Sequence, residues 1–138
     1  MVAGMKGLST SEERRAGFLL AHRRHGLEAD PSLVVEGLST SQGGRLAMLR
    51  LLSLSDAPTA VFCANNNMTI GALAALRASG LRVPQDLALV GFDDYPWADF
   101  FEPRLTTVAQ PLTAIGARAV QLLLRPSATQ PLRSKLFG

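Results

Sequence analysis

The stretch Leu87-Ala88-Leu89-Val90-Gly91-Phe92, followed at once by Asp93-Asp94, decides the fold. It is the most continuous apolar run with strand character in the chain. A strand apolar on both faces must be covered on both faces, which predicts a central position in a parallel sheet. Val83-Pro84-Gln85-Asp86 reads as the turn that delivers the chain into it. Downstream, Asp93 to Glu102 reads as a loop with aromatic residues and one helical turn, and Leu105-Thr106-Thr107-Val108 as a further strand. Pro111 then opens a helix whose apolar residues Leu112, Ile115, Ala119, Leu122 and Leu123 recur at helical spacing.

Upstream the same alternation holds. Thr10-Ser11-Glu12-Glu13 has the form of a capping box and predicts a helix running to His25, with Gly26 as its left-handed stop. Asp30-Pro31 marks a turn, and Leu33-Val34-Val35-Glu36 a short strand. Ser39-Thr40-Ser41-Gln42 repeats the capping pattern ahead of Leu46, Leu49 and Leu52. Thr59 to Cys63 reads as a strand, and Asn65 or Asn66 as the cap of a third helix that ends at Gly80. Strand and helix alternate at least four times, which predicts an α/β fold: an open parallel sheet with helices on both faces.

Composition fits one ordinary domain. The chain has 138 residues, 47% of them hydrophobic, a formal net charge of +3 and one cysteine. Such a chain buries a core and forms no internal disulfide. No apolar run approaches the roughly 18 residues of a membrane helix, and MVAGMKG carries no secretory h-region; a soluble, cytoplasmic protein is expected. The basic balance of 14 Lys and Arg against 11 Asp and Glu invites a nucleic-acid reading. The densest group, Arg14, Arg15, Arg23 and Arg24, shares its helix with Glu12 and Glu13, so it reads as a solvated face and not as a phosphate-neutralising stripe.

Ligands of open parallel sheets bind beyond the carboxyl ends of the strands. The residues there are Gly37-Leu38-Ser39, Ala64-Asn65-Asn66-Asn67 and Asp93-Asp94-Tyr95. Asn donates and accepts, and an ionised Asp accepts on two oxygens, a set that suits the hydroxyls or amides of a small polar ligand. Catalytic readings fail. There is no G-x-S-x-G elbow and no phosphate-binding glycine loop. His22 and His25 lack the partners of a metal site. Cys63 falls within a strand as a small core hydrophobe. Asp93 and Asp94 point to different faces of the strand end. No enzymatic activity, metal or cofactor is expected.

Three motifs, in order, carry a resemblance: A-N-N-N-M-T-I-G opening the third helix, G-L-R-V-P-Q-D, and V-G-F-D-D followed by P-R-L-T-T-V. With the upstream E-R-R-A-G-F they cover roughly Gly7 to Leu124, and the chain resembles the lactose/galactose-repressor (LacI/GalR-type) family of bacterial transcription regulators. The resemblance implies a periplasmic-binding-protein-like (type I) sensor: two α/β subdomains closing over a sugar or nucleobase-like effector, as a homodimer whose helix-turn-helix heads bind operators. It implies that Arg14, Asn65 and Asp93 contact the effector. Many members place a stacking aromatic where this chain has Leu38-Ser39-Thr40, so Tyr95 and Trp97, just beyond Asp93, are candidates to take its place; Ser39 and Asn66, at the strand ends, are further candidates.

On the same resemblance, residues 1–104 form the C-terminal effector-binding subdomain with an incomplete first strand. Residues 105–124 are a crossover strand and helix suited to packing on an N-terminal subdomain, and 125–138 are a tail. DNA contact would occur only through an N-terminal head outside this sequence. The alternatives are a periplasmic-type sugar-binding protein and a truncated product without independent activity. Covering Leu112, Ile115, Leu122 and Leu123 buries four large side chains, each worth roughly 1.5–3 kcal/mol. Uncovered, they form an adhesive patch. The chain is therefore expected to self-associate or to rearrange that helix, and a clean compact monomer by size exclusion with light scattering would contradict this.

Overall fold

The computed structural model describes residues 1–124; the expected tail, 125–138, lies outside them. The elements alternate throughout: β1 (Val2–Ala3), α1 (Ser9–Arg24), β2 (Val35–Glu36), α2 (Ser41–Leu52), β3 (Ala60–Phe62), α3 (Asn66–Ala78), β4 (Ala88–Phe92), β5 (Thr106–Val108) and α4 (Leu112–Leu123), with 3-10 turns at Pro31–Leu33 and Pro96–Phe100. All strand pairs are parallel: β1 with β2, β3 with β4, and β4 with β5. A parallel bridge between Val2 and Cys63 joins the two groups, so the sheet runs β2-β1-β3-β4-β5.

That order places β4 inside the sheet, as its apolar run predicts. It also sets the helix layers, because parallel crossovers are right-handed. The β1-to-β2 connection runs one way along the sheet, and the next two run the other way. The rings of Phe18 on α1 and Phe62 on β3 lie 6.4 Å apart on one face, while Thr69 of α3 lies against Gly91 on the opposite face. The α2–α3 side is closed: Val61, Leu89, Met48, Leu51, Met68, Ala72 and Leu76 are buried. The α1 side is only partly closed. Phe62, Val90 and Phe92 are half-buried, and a cavity of about 530 Å³ opens between α1 and the sheet. The two-sided cover expected for β4 is thus complete on one face alone.

Local signals hold with small shifts. Helix α1 begins at Ser9 with Leu8 as its cap residue and no side-chain cap bond. The Thr10 capping box does not form, because Thr10 is already inside the first turn; Glu12 accepts instead from the Gly7 amide at 3.2 Å. Gly26 takes φ +67° and ends the helix as expected. Thr40, not Ser39, caps α2 by accepting from the Gly43 amide at 3.0 Å. Of the two asparagines, Asn65 caps α3, accepting from the Met68 amide at 2.8 Å. Strand β2 is shorter than read, since Leu33 belongs to the turn whose Asp30 accepts from the Ser32 amide. His22 donates through Nδ1 to the Phe18 carbonyl at 3.0 Å and packs on the Phe18 ring, 4.2 Å between centroids. Cys63 is fully buried, and burial pushes its thiol up to about 12, which keeps it an inert core group.

Every residue of α4 is exposed. Leu112 is 68% and Leu123 73% accessible, with Ile115, Val120 and Leu122 alongside.

Helices α2 and α3 approach so closely that only glycine fits between them. A Cβ on Gly71 would fall 1.9 Å from the Ser41 carbonyl oxygen, and one on Gly44 2.5 Å from the Met68 backbone. Gly116 on α4 meets nothing within 4 Å. Gly71→Ala is expected to lower the unfolding free energy by about 1–3 kcal/mol through overpacking, and Gly116→Ala to raise helix stability by up to roughly 1 kcal/mol. Urea denaturation of the two variants checks both signs.

Candidate functional site

The carboxyl ends of the strands carry the backbone strain of the molecule. Among the described residues, the non-glycine residues with positive φ are Leu38 (53°), Ser39 (58°) and Asp93 (76°). Leu38 and Ser39 follow β2, and Asp93 follows β4. Such conformations cost on the order of 1–3 kcal/mol each and persist where the surrounding structure enforces them. Asp tolerates the left-handed region better than most residues do, which suits Asp93 to its place.

Three turns interlock here. Asn65 uses its Oδ1 to cap α3, and its Nδ2 donates to the Ser39 carbonyl at 3.2 Å, tying the end of β3 to the turn after β2 across β1. The Ser39 hydroxyl accepts from the Met5 amide at 3.0 Å. Arg14, reaching down from α1, donates through Nη1 to the Ala64 carbonyl at 2.6 Å, one residue before Asn65. Its guanidinium carbon lies 3.7 Å from the centre of the Phe92 ring, one residue before Asp93. Arg14, Asn65 and Asp93 are thereby gathered at one edge of the sheet, although 28 positions separate the last two in sequence.

Asp93 accepts from the Gln110 side-chain amide, and its own backbone amide donates to the Val108 carbonyl at 3.0 Å. Its neighbour turns elsewhere, as the strand-end geometry predicts. Asp94 accepts from Arg104 Nη2 at 2.8 Å and from the Thr107 hydroxyl at 3.0 Å. These hydrogen bonds, led by that from Arg104, hold its carboxyl below the usual range. Arg104 also pairs with Asp99 at 2.5 Å, so the acids of the 93–99 loop are pinned to the segment entering β5. Asp94 is a structural group of that loop, and Asp93 is the acid left facing the strand ends.

The remaining candidates separate. Tyr95 is exposed and lines a cavity of about 330 Å³ together with Asp93, Gln110 and Leu112. Trp97 lies parallel to Tyr95 at 6.5 Å and edge-on to Phe101 at 6.2 Å, packed against the core. Its buried indole N–H, like the Asn66 side-chain oxygen, has no hydrogen-bond partner among the described residues. Ser39 is half-buried in the turn already described.

Two residues of the site escaped the reading of the sequence. Gln110 lies just past the end of β5, so the strand-end rule that selected Asn65 and Asp93 selects it too once β5 is included. Phe92 read as core, and nothing in one dimension distinguishes a core ring from one lying under an arginine. The resulting surface offers guanidinium donors, a carboxylate acceptor and amides that do both, around an aromatic floor. That chemistry holds hydroxyls and ring nitrogens through directional bonds. Among the described residues there is no cluster of His, Cys, Asp and Glu able to hold a metal ion, and no helix long and apolar enough to cross a membrane.

Known proteins share this fold. The family profile described as a periplasmic binding protein-like domain matches residues 1–133. The chain is 40% identical over 124 residues to the probable HTH-type transcriptional repressor ExuR of Bacillus subtilis, covering 90% of this chain and 37% of that protein. It is 42% identical over 123 residues to the repressor CytR of Escherichia coli, covering 89% and 36%. Among solved structures, the transcriptional regulator CelR in complex with cellobiose matches with a TM-score of 0.81 at 40% identity, covering 88% of this chain and 37% of that one. A LacI-family regulatory protein from Chloroflexus aggregans matches with a TM-score of 0.81 at 35% identity, covering 88% and 44%. The chain thus spans about a third of the length of the curated relatives it matches. With the profile matching almost its whole length and the motifs falling at the strand ends, the chain belongs to the periplasmic binding protein-like domain family and corresponds to part of the effector-binding region of LacI-family repressors.

Proposed function

We propose that the chain is the effector-sensing part of a LacI-type transcriptional repressor, with Arg14, Asn65 and Asp93 as the effector contacts from this side of the cleft. The observation that carries the reading is the convergence of these three side chains at the carboxyl edge of the sheet, where the strained backbone also lies. Arginine donates to one hydroxyl while aspartate accepts from its neighbour, so the pair fits a polyhydroxylated or nucleobase-like molecule. Tyr95, beside Asp93, supplies an apolar wall, and Ser39 and Asn66 lie at the adjoining turns.

In this reading, residues 1–104 are the effector-binding subdomain, and β5 with α4 is the crossover that packs on a second subdomain. The working unit is a homodimer in the cytoplasm, and operator DNA is held by a helix-turn-helix part of the longer protein. Effector binding shifts the balance between DNA-competent and DNA-incompetent arrangements, which requires contacts that differ between the two states. The names of the relatives, repressors throughout, support this over a transport-type binding protein.

Two substitutions test the site by calorimetric titration with cellobiose, D-ribose and adenosine. Asp93→Asn keeps a residue that accepts positive φ but removes the charged acceptor. It is expected to cost at least about tenfold in affinity for whichever of these binds, since a hydrogen bond to a charged group is worth roughly 1.5–3 kcal/mol. Unchanged affinity with intact folding would sink the assignment. Asn65 is both cap and contact, and two variants separate the roles. Asn65→Asp keeps the capping oxygen but loses the Nδ2 donor to the Ser39 carbonyl, so it is expected to weaken binding at a stability cost limited to about 0.5–1.5 kcal/mol for that one bond; Asn65→Ala is expected to lose the cap as well, a further ~0.5–2 kcal/mol. Chemical denaturation alongside the titrations reads the difference.

A further inference from the structure

Among the described residues, the Ala64 carbonyl is the one hydrogen-bond acceptor that Arg14 reaches, through Nη1. The rest of its fork carries free N–H donors, and what fixes their direction is the ring beneath. The guanidinium carbon sits 3.7 Å from the Phe92 centroid, well inside the range of a cation–π contact. Phe92 is itself held. Phe62 meets it edge-on, 6.5 Å between centroids at 64°, and Phe18 lies parallel to Phe62 at 6.4 Å. Phe18 stands four residues after Arg14 on α1, hence on the same helix face. The circuit closes: α1 presses Phe18 onto β3, Phe62 sets the ring on β4, and that ring carries the arginine of α1.

We propose that Phe92 is a positioning residue for effector capture, fixing the plane of the Arg14 guanidinium before any ligand arrives. This rests on the reading of Arg14 as an effector contact. A free arginine side chain loses much rotamer freedom when it binds. One already clamped by a ring on its face and a carbonyl at its end does so on folding, and its bonds to ligand hydroxyls then form without that loss. The preformed fork favours a ligand presenting two acceptors in one plane, as the vicinal hydroxyls of a sugar ring do. Phe92 touches no ligand atom in this scheme; it acts through Arg14.

Phe92 adjoins Asp93, so a substitution could act on the backbone instead, and the test must read Arg14 itself. By NMR of the ligand-free chain, the Arg14 δ-methylene protons are expected well upfield of the other arginines because they share the ring's shielding region. Phe92→Leu abolishes that shift, and Phe92→Tyr, which keeps the π face, retains it. With cellobiose as the probe, Phe92→Leu lowers affinity about three- to tenfold, Phe92→Tyr leaves it unchanged, and Phe92→Leu adds nothing in an Arg14→Ala background. An unshifted Arg14 in the wild-type chain, or a Phe92→Leu loss that persists in full without Arg14, overturns the positioning role. Cellobiose binding that Arg14→Ala leaves untouched overturns the effector reading of Arg14 instead. A wild-type chain that binds no cellobiose counts against the sugar reading of the site, and the Arg14 shift then decides the positioning role.

Discussion

The backbones of α2 and α3 touch. Two glycines make this so, since a Cβ on Gly44 or Gly71 would strike Met68 or Ser41 backbone at 2.5 and 1.9 Å, and a third, Gly43, seats α2 on the turn after β2, where a Cβ would fall 2.0 Å from the Gly37 carbonyl oxygen. These contacts join the first turns of both helices to each other and to the turn after β2. The caps Thr40 and Asn65 stand at those first turns, so the glycine contact brings the ends of β2 and β3 into register. The Asn65–Ser39 hydrogen bond follows from that register. A side chain at any of the three glycines would push the turns apart and leave Asn65 a cap without a second partner.

On the other face of the sheet the constraint is aromatic. Helix α1 buries little, with Ser11 its single buried residue, and it is held by Phe18 against Phe62 and by Arg14 against Phe92, with His22 packed on Phe18. The same contacts that attach α1 to the sheet deliver Arg14 to the strand ends. The site therefore draws on both layers: Asn65 is placed by the glycine-packed face, Arg14 by the aromatic one, and Asp93 by a strand end whose positive φ its side chain tolerates and whose loop Asp94, Arg104 and Asp99 anchor. Helix α4 draws on neither: every one of its residues is exposed, which leaves its apolar residues as a contiguous exposed patch.

Much of this was legible in one dimension. Apolar alternation and the Gly and Pro punctuation located every helix and the strands from β2 onward, because periodicity reports burial and φ restrictions are local; the two-residue β1 is expected only from the family resemblance. The motif order A-N-N-N-M, V-P-Q-D, G-F-D-D and L-T-T-V indicated the family, and the strand-end rule pointed to Ser39, Asn65 and Asp93. Helix starts were the weakest part: the Thr10 box and the Ser39 cap each missed by one or two residues. A capping pattern states which side chains can accept from an amide, while the neighbouring turn decides which of them does.

Sequence by itself determined the α/β alternation, the family and the residue types available to the site, since each depends on properties carried by single residues or their close neighbours. Only the tertiary structure decided that β1 inserts between β2 and β3, that Phe92 is a platform for Arg14 and not simple core, and that Gln110 closes on Asp93. These are contacts between residues 17 to 78 positions apart. Their formation depends on strand order and crossover handedness, quantities that no local pattern encodes.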